Sequence, residues 1–217
     1  EGDAFAFLRP QVYDPADMKR LLSGDVTFGP GGEILTGFDF TKLPGGKVVR
    51  VDPTVTYNPG AGDGRTGGSS AVSWATIRDA ASSGTYLDYT TASLAGFSSQ
   101  ESVGTYYNIR AFIPFDSSGV PAGATVTAAT YEMYVTAVAN DNSYTAHLVQ
   151  STQASLTEIV ADDYNNVTFT SIGSKTFASY TLSAYNLLTI PDLTAVGKGA
   201  GGTTKLSMIT NSDLDNS

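Results

Sequence analysis

The feature that most constrains the fold is a two-residue alternation of side chains that returns along the second half of the chain. It is clearest in residues 103–113, where Val, Thr, Tyr, Ile, Ala and Ile alternate with Gly, Tyr, Asn, Arg and Phe. Successive side chains of a β-strand point to opposite faces of a sheet. The segment therefore predicts a strand with one face on a core and the other toward solvent or a second layer. The same pattern predicts strands at 129–135, 144–149 and 185–190.

The composition favours a β-protein with a core of its own. The chain has 217 residues, of which 41% are hydrophobic, and this is enough for one large β domain or two small ones. Glycine and tyrosine are abundant, and β-branched residues suit pleated surfaces better than long helices. Charged residues make up only 15%, which we associate with extracellular or virion β-proteins. The absence of cysteine excludes a disulfide framework and thiolate metal sites.

The net charge of −9 argues against two classes of partner. Nucleic acids and anionic membrane surfaces both select basic patches, and the 12 Lys and Arg residues are scattered along the chain. No stretch approaches the roughly 18 apolar residues of a membrane span, so we expect no membrane insertion. The acidity favours solubility, and the alternative interpretation is a set of acidic loops that hold Ca²⁺.

Residues 1–57 differ from the rest and predict a small α+β attachment region with one short helix, Asp14 to Leu22. Asp14 is a good N-cap and Pro15 suits the first helical position. The residues Met18, Leu21 and Leu22 then form one apolar stripe at helical spacing. A helix of two turns needs packing partners to persist, so this stripe is the predicted attachment surface.

Residues 58–68 contain five glycines and no large apolar side chain, and they predict a flexible linker between domains. A phosphate-cradling loop is the alternative, but no Gly-Lys-Ser/Thr follows. From residue 69 to 217 the spacing of strand candidates predicts a jelly-roll-like antiparallel β-sandwich. Short helical pieces are expected near 75–81 and 157–164.

The candidates for catalysis are few, and we expect no enzyme. His147 is the only histidine, it lies in a predicted strand, and no Gly-x-Ser-x-Gly elbow accompanies it. A hydrogen-bonded strand histidine is the simpler interpretation. Glycoside hydrolysis needs two converging carboxylates, and the sequence does not show that any two of the candidates converge: Asp88, Glu101, Asp116 and Glu132.

Three turns are rich in oxygen ligands and are the only candidates for Ca²⁺, at 141–142, 162–163 and 213–216. None has the spacing of an EF-hand loop, and turn chemistry alone accounts for Asp and Asn at such positions. No other cofactor is expected.

Exposed tyrosines provide the hypothesis of sugar binding, because aromatic faces stack on sugar rings. The candidate glycan-binding residues are Tyr86, Tyr106 and Tyr134. The competing interpretation is that tyrosines fill the β-core and form cross-strand pairs.

Several segments resemble a jelly-roll module found in tailed-phage structural proteins (tail fibre, head fibre and decoration proteins) and in prokaryotic extracellular proteins. They are 73–81, 112–116, 124–130, 149–155 and 211–217. The most telling pair is Phe-Ile-Pro-Phe-Asp followed by Ala-Thr-Val-Thr-Ala-Ala-Thr. The resemblance covers roughly residues 69–217 and implies a fold more than a function. Residues 1–57 resemble the front ends of phage tail and baseplate-associated proteins.

Together the two resemblances imply a non-enzymatic virion structural protein, anchored by residues 1–57 to other virion proteins. They imply a displayed domain on the virion surface, a homo-oligomer for which we expect a trimer, and a host-cell glycan as a candidate receptor. Relatives continue with one or two closing strands after a segment like Asp-Leu-Asp-Asn. The chain is therefore expected to lack its last strands and to assemble by strand addition.

Two alternatives stay open. One is a subunit of a prokaryotic extracellular filament or surface layer that polymerises by strand donation. The other is a carbohydrate-binding module of a secreted protein, located outside the cell or at its surface.

Overall fold

The computed structural model divides the chain into two compact units, Glu1–Thr56 and Tyr57–Ser217. The residues that it describes are 11–13, 20–23, 25–28, 34–37, 56–89, 96–138 and 144–216.

The first unit contains two antiparallel strand pairs. Strand β1 (Gln11–Tyr13) pairs with β2 (Arg20–Ser23), and β3 (Asp25–Phe28) pairs with β4 (Ile34–Gly37). The predicted attachment helix is therefore wrong over its last residues, since Leu21 and Leu22 lie in β2. A two-turn helix makes few internal hydrogen bonds, whereas pairing with β1 satisfies the backbone of both strands. The remainder of that prediction, including Met18, lies outside the described residues.

The second unit is built on nine antiparallel strands. They are β5 (Gly64–Ser70), β6 (Tyr86–Asp88), β7 (Ser98–Ser102), β8 (Thr105–Asp116), β9 (Thr130–Val135), β10 (Thr145–Ser151), β11 (Val167–Thr176), β12 (Ala184–Thr189) and β13 (Thr203–Thr210). Seven of them form one sheet in the order β11-β10-β13-β8-β5-β6, with β7 paired to the first half of β8. The other two, β9 and β12, form a second sheet.

The core lies between the two sheets and confirms the predicted all-β, jelly-roll-like sandwich. Its alternate residues come from β8, β10 and β13 on one side and from β12 on the other, as the two-residue period requires. The buried members are Ala111, Ile113, Tyr131, Ala146, Leu148, Ile172, Leu188, Ile190, Leu206 and Met208.

The four predicted strands are confirmed, with boundaries that differ by one to three residues. Strand β8 begins at Thr105, because Val103 and Gly104 form the turn between β7 and β8 with φ values of 50° and 72°. Val103 is fully exposed, and its apolar side chain therefore contributes nothing to the core. A hairpin turn needs positive φ at such positions, and glycine at 104 meets that requirement without strain.

Three short helices lie on the side of the large sheet opposite the core, and they confirm the two predicted helical pieces. Helix α1 (Trp74–Arg78) begins at Ser73, whose side chain accepts a hydrogen bond from the Thr76 amide. A 3-10 helix follows at Ala161–Asn165, and α2 (Asn211–Asp215) ends the described chain. None of the helices in the described ranges is long and apolar enough to span a bilayer.

The predicted flexible linker at 58–68 is wrong, because much of it is a strand within the large sheet. Strand β5 pairs with β8 along its whole length. A Cβ added at Gly67 would lie 2.7 Å from the Ile109 Cα atom, closer than real Cβ atoms approach. Gly60 and Gly62 are held by backbone hydrogen bonds to Pro114 and Leu156. The glycines therefore allow close backbone packing, which composition alone does not distinguish from flexibility.

Candidate functional site

Two fully buried charges of the second unit form an ion pair behind the large sheet. Arg110 on β8 and Asp213 on α2 are both 0% exposed. The guanidinium donates from Nε to Oδ2 and from Nη2 to Oδ1 of the carboxylate, each over 2.7 Å. It also donates to the backbone oxygens of Tyr164 and Arg78 over 2.7 and 2.8 Å. This bidentate geometry fixes α1, α2 and the 3-10 helix to the sheet.

Aromatic rings and a second arginine surround this pair. The Arg110 guanidinium carbon lies 4.1 Å from the centre of the Tyr164 ring, and that of Arg78 lies 4.0 Å from the Phe169 ring. Arg78 also donates from Nε to the backbone oxygen of Asp213 over 2.7 Å. The Tyr164 hydroxyl donates to the Ile77 oxygen over 2.7 Å. Burial raises the pKa of Tyr164 to about 12, and the Arg110 charge opposes that rise.

A second buried carboxylate organises the loop 152–166. Asp163 is 0% exposed. Its Oδ1 atom accepts from the Ala154 amide over 2.9 Å, and Oδ2 accepts from the Val160 amide over 3.0 Å. Asn166 donates to the same carboxylate over 3.1 Å. The side chain thus holds backbone groups in place, as an Asp in a tight turn commonly does.

His147 has the partner of a structural histidine rather than that of a catalytic base. Its Nδ1 atom lies 2.9 Å from the Ser171 hydroxyl, and Ser171 donates its single proton to the Gly173 oxygen over 3.1 Å. In that arrangement Nδ1 donates to Ser171, as in a hydrogen-bonded strand histidine, and the other tautomer would reverse the direction of this bond. Burial lowers the pKa of His147, and the charge of Asp215 opposes that shift.

The four candidate carboxylates do not form a glycosidase pair. Three of them can be placed along β8 by strand pairing. Glu101 on β7 pairs with Tyr106, and Asp116 is the last residue of β8. Asp88 on β6 pairs with Arg65 of β5, which in turn pairs with Ala111 of β8. These positions on β8 are separated by five residues each, which is roughly 16 Å along the strand at about 3.3 Å per residue. Paired catalytic carboxylates lie within about 5–9.5 Å of one another. The fourth, Glu132, is exposed on the second sheet.

The structure uses two of the oxygen-rich turns for other contacts. Asp163 holds the loop 152–166, and Asp213 pairs with Arg110. The turn 141–142 lies outside the described residues. Within the described ranges, no three His, Cys, Asp or Glu side chains are grouped as metal ligands.

The three candidate glycan-binding tyrosines lie in different places. Tyr86 on β6 is level with Ile109, on the core-facing side of the large sheet, and its ring centre is 6.5 Å from that of Tyr107. Tyr106 directly precedes Tyr107 on β8, so its side chain points to the opposite face of the large sheet, the face that carries the helices. Tyr134 lies exposed on the outer face of the second sheet, against the ring of Tyr185 at 5.2 Å. Of the three, Tyr106 lines a surface cavity formed by described residues.

That cavity, the aromatic groove, is an open depression of about 180 Å³ on the helical side of the large sheet. It is assembled from α1, β7, the start of β8, the residue before β10, and α2. Its lining residues are Trp74, Ser99, Gln100, Glu101, Tyr106, Tyr144 and Ser212. Three aromatic residues therefore border one small depression together with the acidic Glu101 and the hydroxyl-bearing Ser99 and Ser212.

Sequence reasoning identified Tyr106 and missed its partners. Trp74 is the only tryptophan of the chain, and a lone tryptophan near a predicted helix start is a usable signal for a binding site. Tyr144 and Ser212 could not be found in that way, because only the packing of α2 and β10 brings them to Tyr106.

No protein-family model matches the chain, and searches of curated proteins and of solved structures likewise gave no match.

Proposed function

We propose that the chain is a non-enzymatic structural protein of a virion surface, a fibre, decoration or receptor-binding component that displays the β-sandwich of the second unit. In this proposal the first unit attaches the protein to other virion proteins. The jelly-roll resemblance of residues 69–217 is the reason for choosing a tailed-phage virion over other locations.

The observation that carries the non-enzymatic part is the use of the buried charges. Arg110 and Asp213 bind each other, and Asp163 accepts bonds from backbone amides of its own loop. Catalytic acids and bases need a proton that can move and a cleft that substrate can enter. These groups instead connect elements that are far apart in sequence, which supports a rigid scaffold for display.

Immunogold electron microscopy of the native source material tests this proposal. An antibody raised against residues 69–217 is applied to purified particles, and a pre-immune serum serves as the control. Label on the head, neck or tail of particles is the expected result and identifies the decorated organelle. Absence of label on particles whose other structural proteins are labelled in parallel would overturn the virion assignment.

A second candidate is an extracellular filament subunit, and the small sheet favours it. Strands β9 and β12 pair only with each other among the described residues, so each has an outer edge that can accept another strand. The exposed side chains of that sheet include Tyr134, Tyr185 and Leu187. Gold label along continuous filaments outside cells would favour this candidate over the virion.

A further inference from the structure

We infer that the aromatic groove binds one ring of an uncharged sugar. The inference goes beyond display on a surface, because it assigns a ligand class to a particular site. It stands or falls on the isolated protein, independently of where that protein is located.

The rings provide the first part of the argument. Trp74, Tyr106 and Tyr144 come from three separate elements, yet all line the same depression. Each is only partly buried, so ring surface is available to a ligand. The apolar face of a pyranose ring, made of C–H groups, stacks on such surfaces. Tyr131 and Tyr164, by contrast, are buried, while the Tyr144 ring also packs 6.2 Å from that of Phe177 at the edge of the core.

The polar lining provides the second part. Glu101 lies on β7 directly opposite Tyr106, and it is exposed. Its carboxylate accepts hydrogen bonds. Ser212 adds a hydroxyl from α2. A sugar has hydroxyl groups around an apolar face, so it can hydrogen-bond to these polar residues while it stacks on the aromatic ones. A purely apolar ligand would leave the polar groups without partners.

Charge selects among sugars. Glu101 is the one charged side chain among the described lining residues, and the whole chain carries a net charge of −9. A uronic or sialic acid would place a second carboxylate against the first, which is unfavourable. Neutral hexoses and N-acetylated hexosamines avoid that repulsion.

The size of the groove limits the ligand to about one ring. Its volume of about 180 Å³ is small beside the roughly 300–1,000 Å³ of typical small-molecule sites. Because a single ring has few atoms to contribute, we expect a dissociation constant on the order of 1 mM. Several copies displayed together would raise the avidity.

The single tryptophan makes the test specific to this site. Sugars do not absorb where tryptophan does, so a saturable change in its emission reports contact near Trp74. The full chain is titrated with methyl glycosides of glucose, galactose, mannose and N-acetylglucosamine, and with methyl glucuronide as the anionic comparison. A saturable change with at least one neutral probe, and a weaker one with the glucuronide, is expected.

Three variants locate the site. Tyr144→Ala and Tyr106→Ala are expected to weaken binding at least tenfold, and Glu101→Gln to weaken it less. Tyr134→Ala removes the same side chain from the exposed second sheet, and it should bind as the unaltered chain does. If Tyr106→Ala does not fold, as judged by circular dichroism, Ser212→Ala replaces it because Ser212 lines the groove from α2 and is only partly buried.

Two results would overturn the inference. One is the lack of a saturable emission change with every neutral probe up to about a hundred times the expected constant. The other is binding that persists unchanged in both tyrosine variants of the groove, or that is stronger for the glucuronide. A failure of this kind leaves the location of the protein untouched, because the microscopy is scored separately.

Discussion

Arg110 is the residue on which most of the second unit depends. The alternation in 103–113 placed it on the face opposite the core, together with Tyr106, Asn108 and Phe112. Whether that face met solvent or a second layer could not be decided from the pattern. A wholly buried arginine requires a partner. That partner, Asp213, is 103 positions away, and no local signal in the sequence connects the two.

Removal of one member of this pair should destabilise the fold strongly. Arg110→Met leaves the Asp213 carboxylate buried without its cation, and we expect a loss of about 3–5 kcal/mol in the free energy of unfolding. The double variant with Asp213→Leu should lose less than the sum of the single variants, with a coupling of about 1–3 kcal/mol. Urea denaturation measures all four proteins.

Glu132→Gln is the matched control for that series, because Glu132 is an exposed charge on the second sheet. It should change the free energy of unfolding by no more than about 0.5 kcal/mol. If the losses in the free energy of unfolding caused by Arg110→Met and Asp213→Leu simply add in the double variant, the two side chains do not stabilise the fold through each other.

Tyr164 should make the fold sensitive to alkali. Its pKa rises from 10.0 to about 12 on folding, so between these values the folded protein holds a proton that the unfolded chain releases. Stability is thus fully present below about pH 10 and declines as the pH rises toward 12. Burial also raises the pKa of Tyr131 and Tyr180, and these shifts act in the same direction.

Urea midpoints measured at several pH values between about 8 and 12 test this expectation, with Tyr164→Phe as the comparison. The variant has no phenol to titrate at that site, so its stability should decline less steeply with pH. An identical decline in both proteins would show that Tyr164 does not contribute.

At the scale of elements, β5 shows why the sequence was misread. Five glycines within 58–68 are typical of a linker, and composition contains no information on what lies beside them. In the sandwich, Gly67 lies against the β8 backbone at Asn108 and Ile109. Glycine is needed in this strand because a side chain would collide with β8. A prediction based on the alternation of side chains cannot detect that requirement.

Gly67→Ala should therefore destabilise the protein, although alanine suits most linkers. The added methyl group meets β8 backbone atoms, and we expect a cost of about 1–3 kcal/mol or more. Gly123→Ala is the control, since a Cβ there meets nothing within 4 Å. Thermal unfolding of both variants gives the comparison, and equal midpoints would restore the linker interpretation.

The aromatic groove likewise shows that contacts between different elements could not be predicted from the sequence. Alternation marked Tyr106 as a candidate, because it lies on the face that does not enter the core. The rings of Trp74 and Tyr144 reach it only through the packing of α1 and of the β10 end. Tyr86 and Tyr134 looked equivalent in the sequence but lie on other faces, since the face of a residue depends on the sheet that its strand joins.

At the scale of the whole molecule, the all-β sandwich could be predicted from strand periodicity. The order of strands could not, because it depends on pairings such as β13 with β8 and β10 that join distant segments. The unequal sheets, with seven strands against two among the described residues, likewise have no counterpart in the pattern.

Assembly is the prediction that belongs to this scale. We expect sedimentation equilibrium of the full chain to give a mass near three times 22.6 kDa, the trimer that accompanies the virion proposal. The free edges of β9 and β12 offer one route to association. A monodisperse monomer at all concentrations would contradict assembly through strand addition. The β-sandwich would then be displayed as single copies.

The position of β13 has a consequence for biosynthesis. It is the last strand of the described chain, yet it lies in the interior of the large sheet, between β8 and β10. A ribosome releases β8 and β10 long before their shared neighbour, so both expose unpaired edges while synthesis continues. Until β13 emerges, these two edges can pair with strands of other copies of the chain.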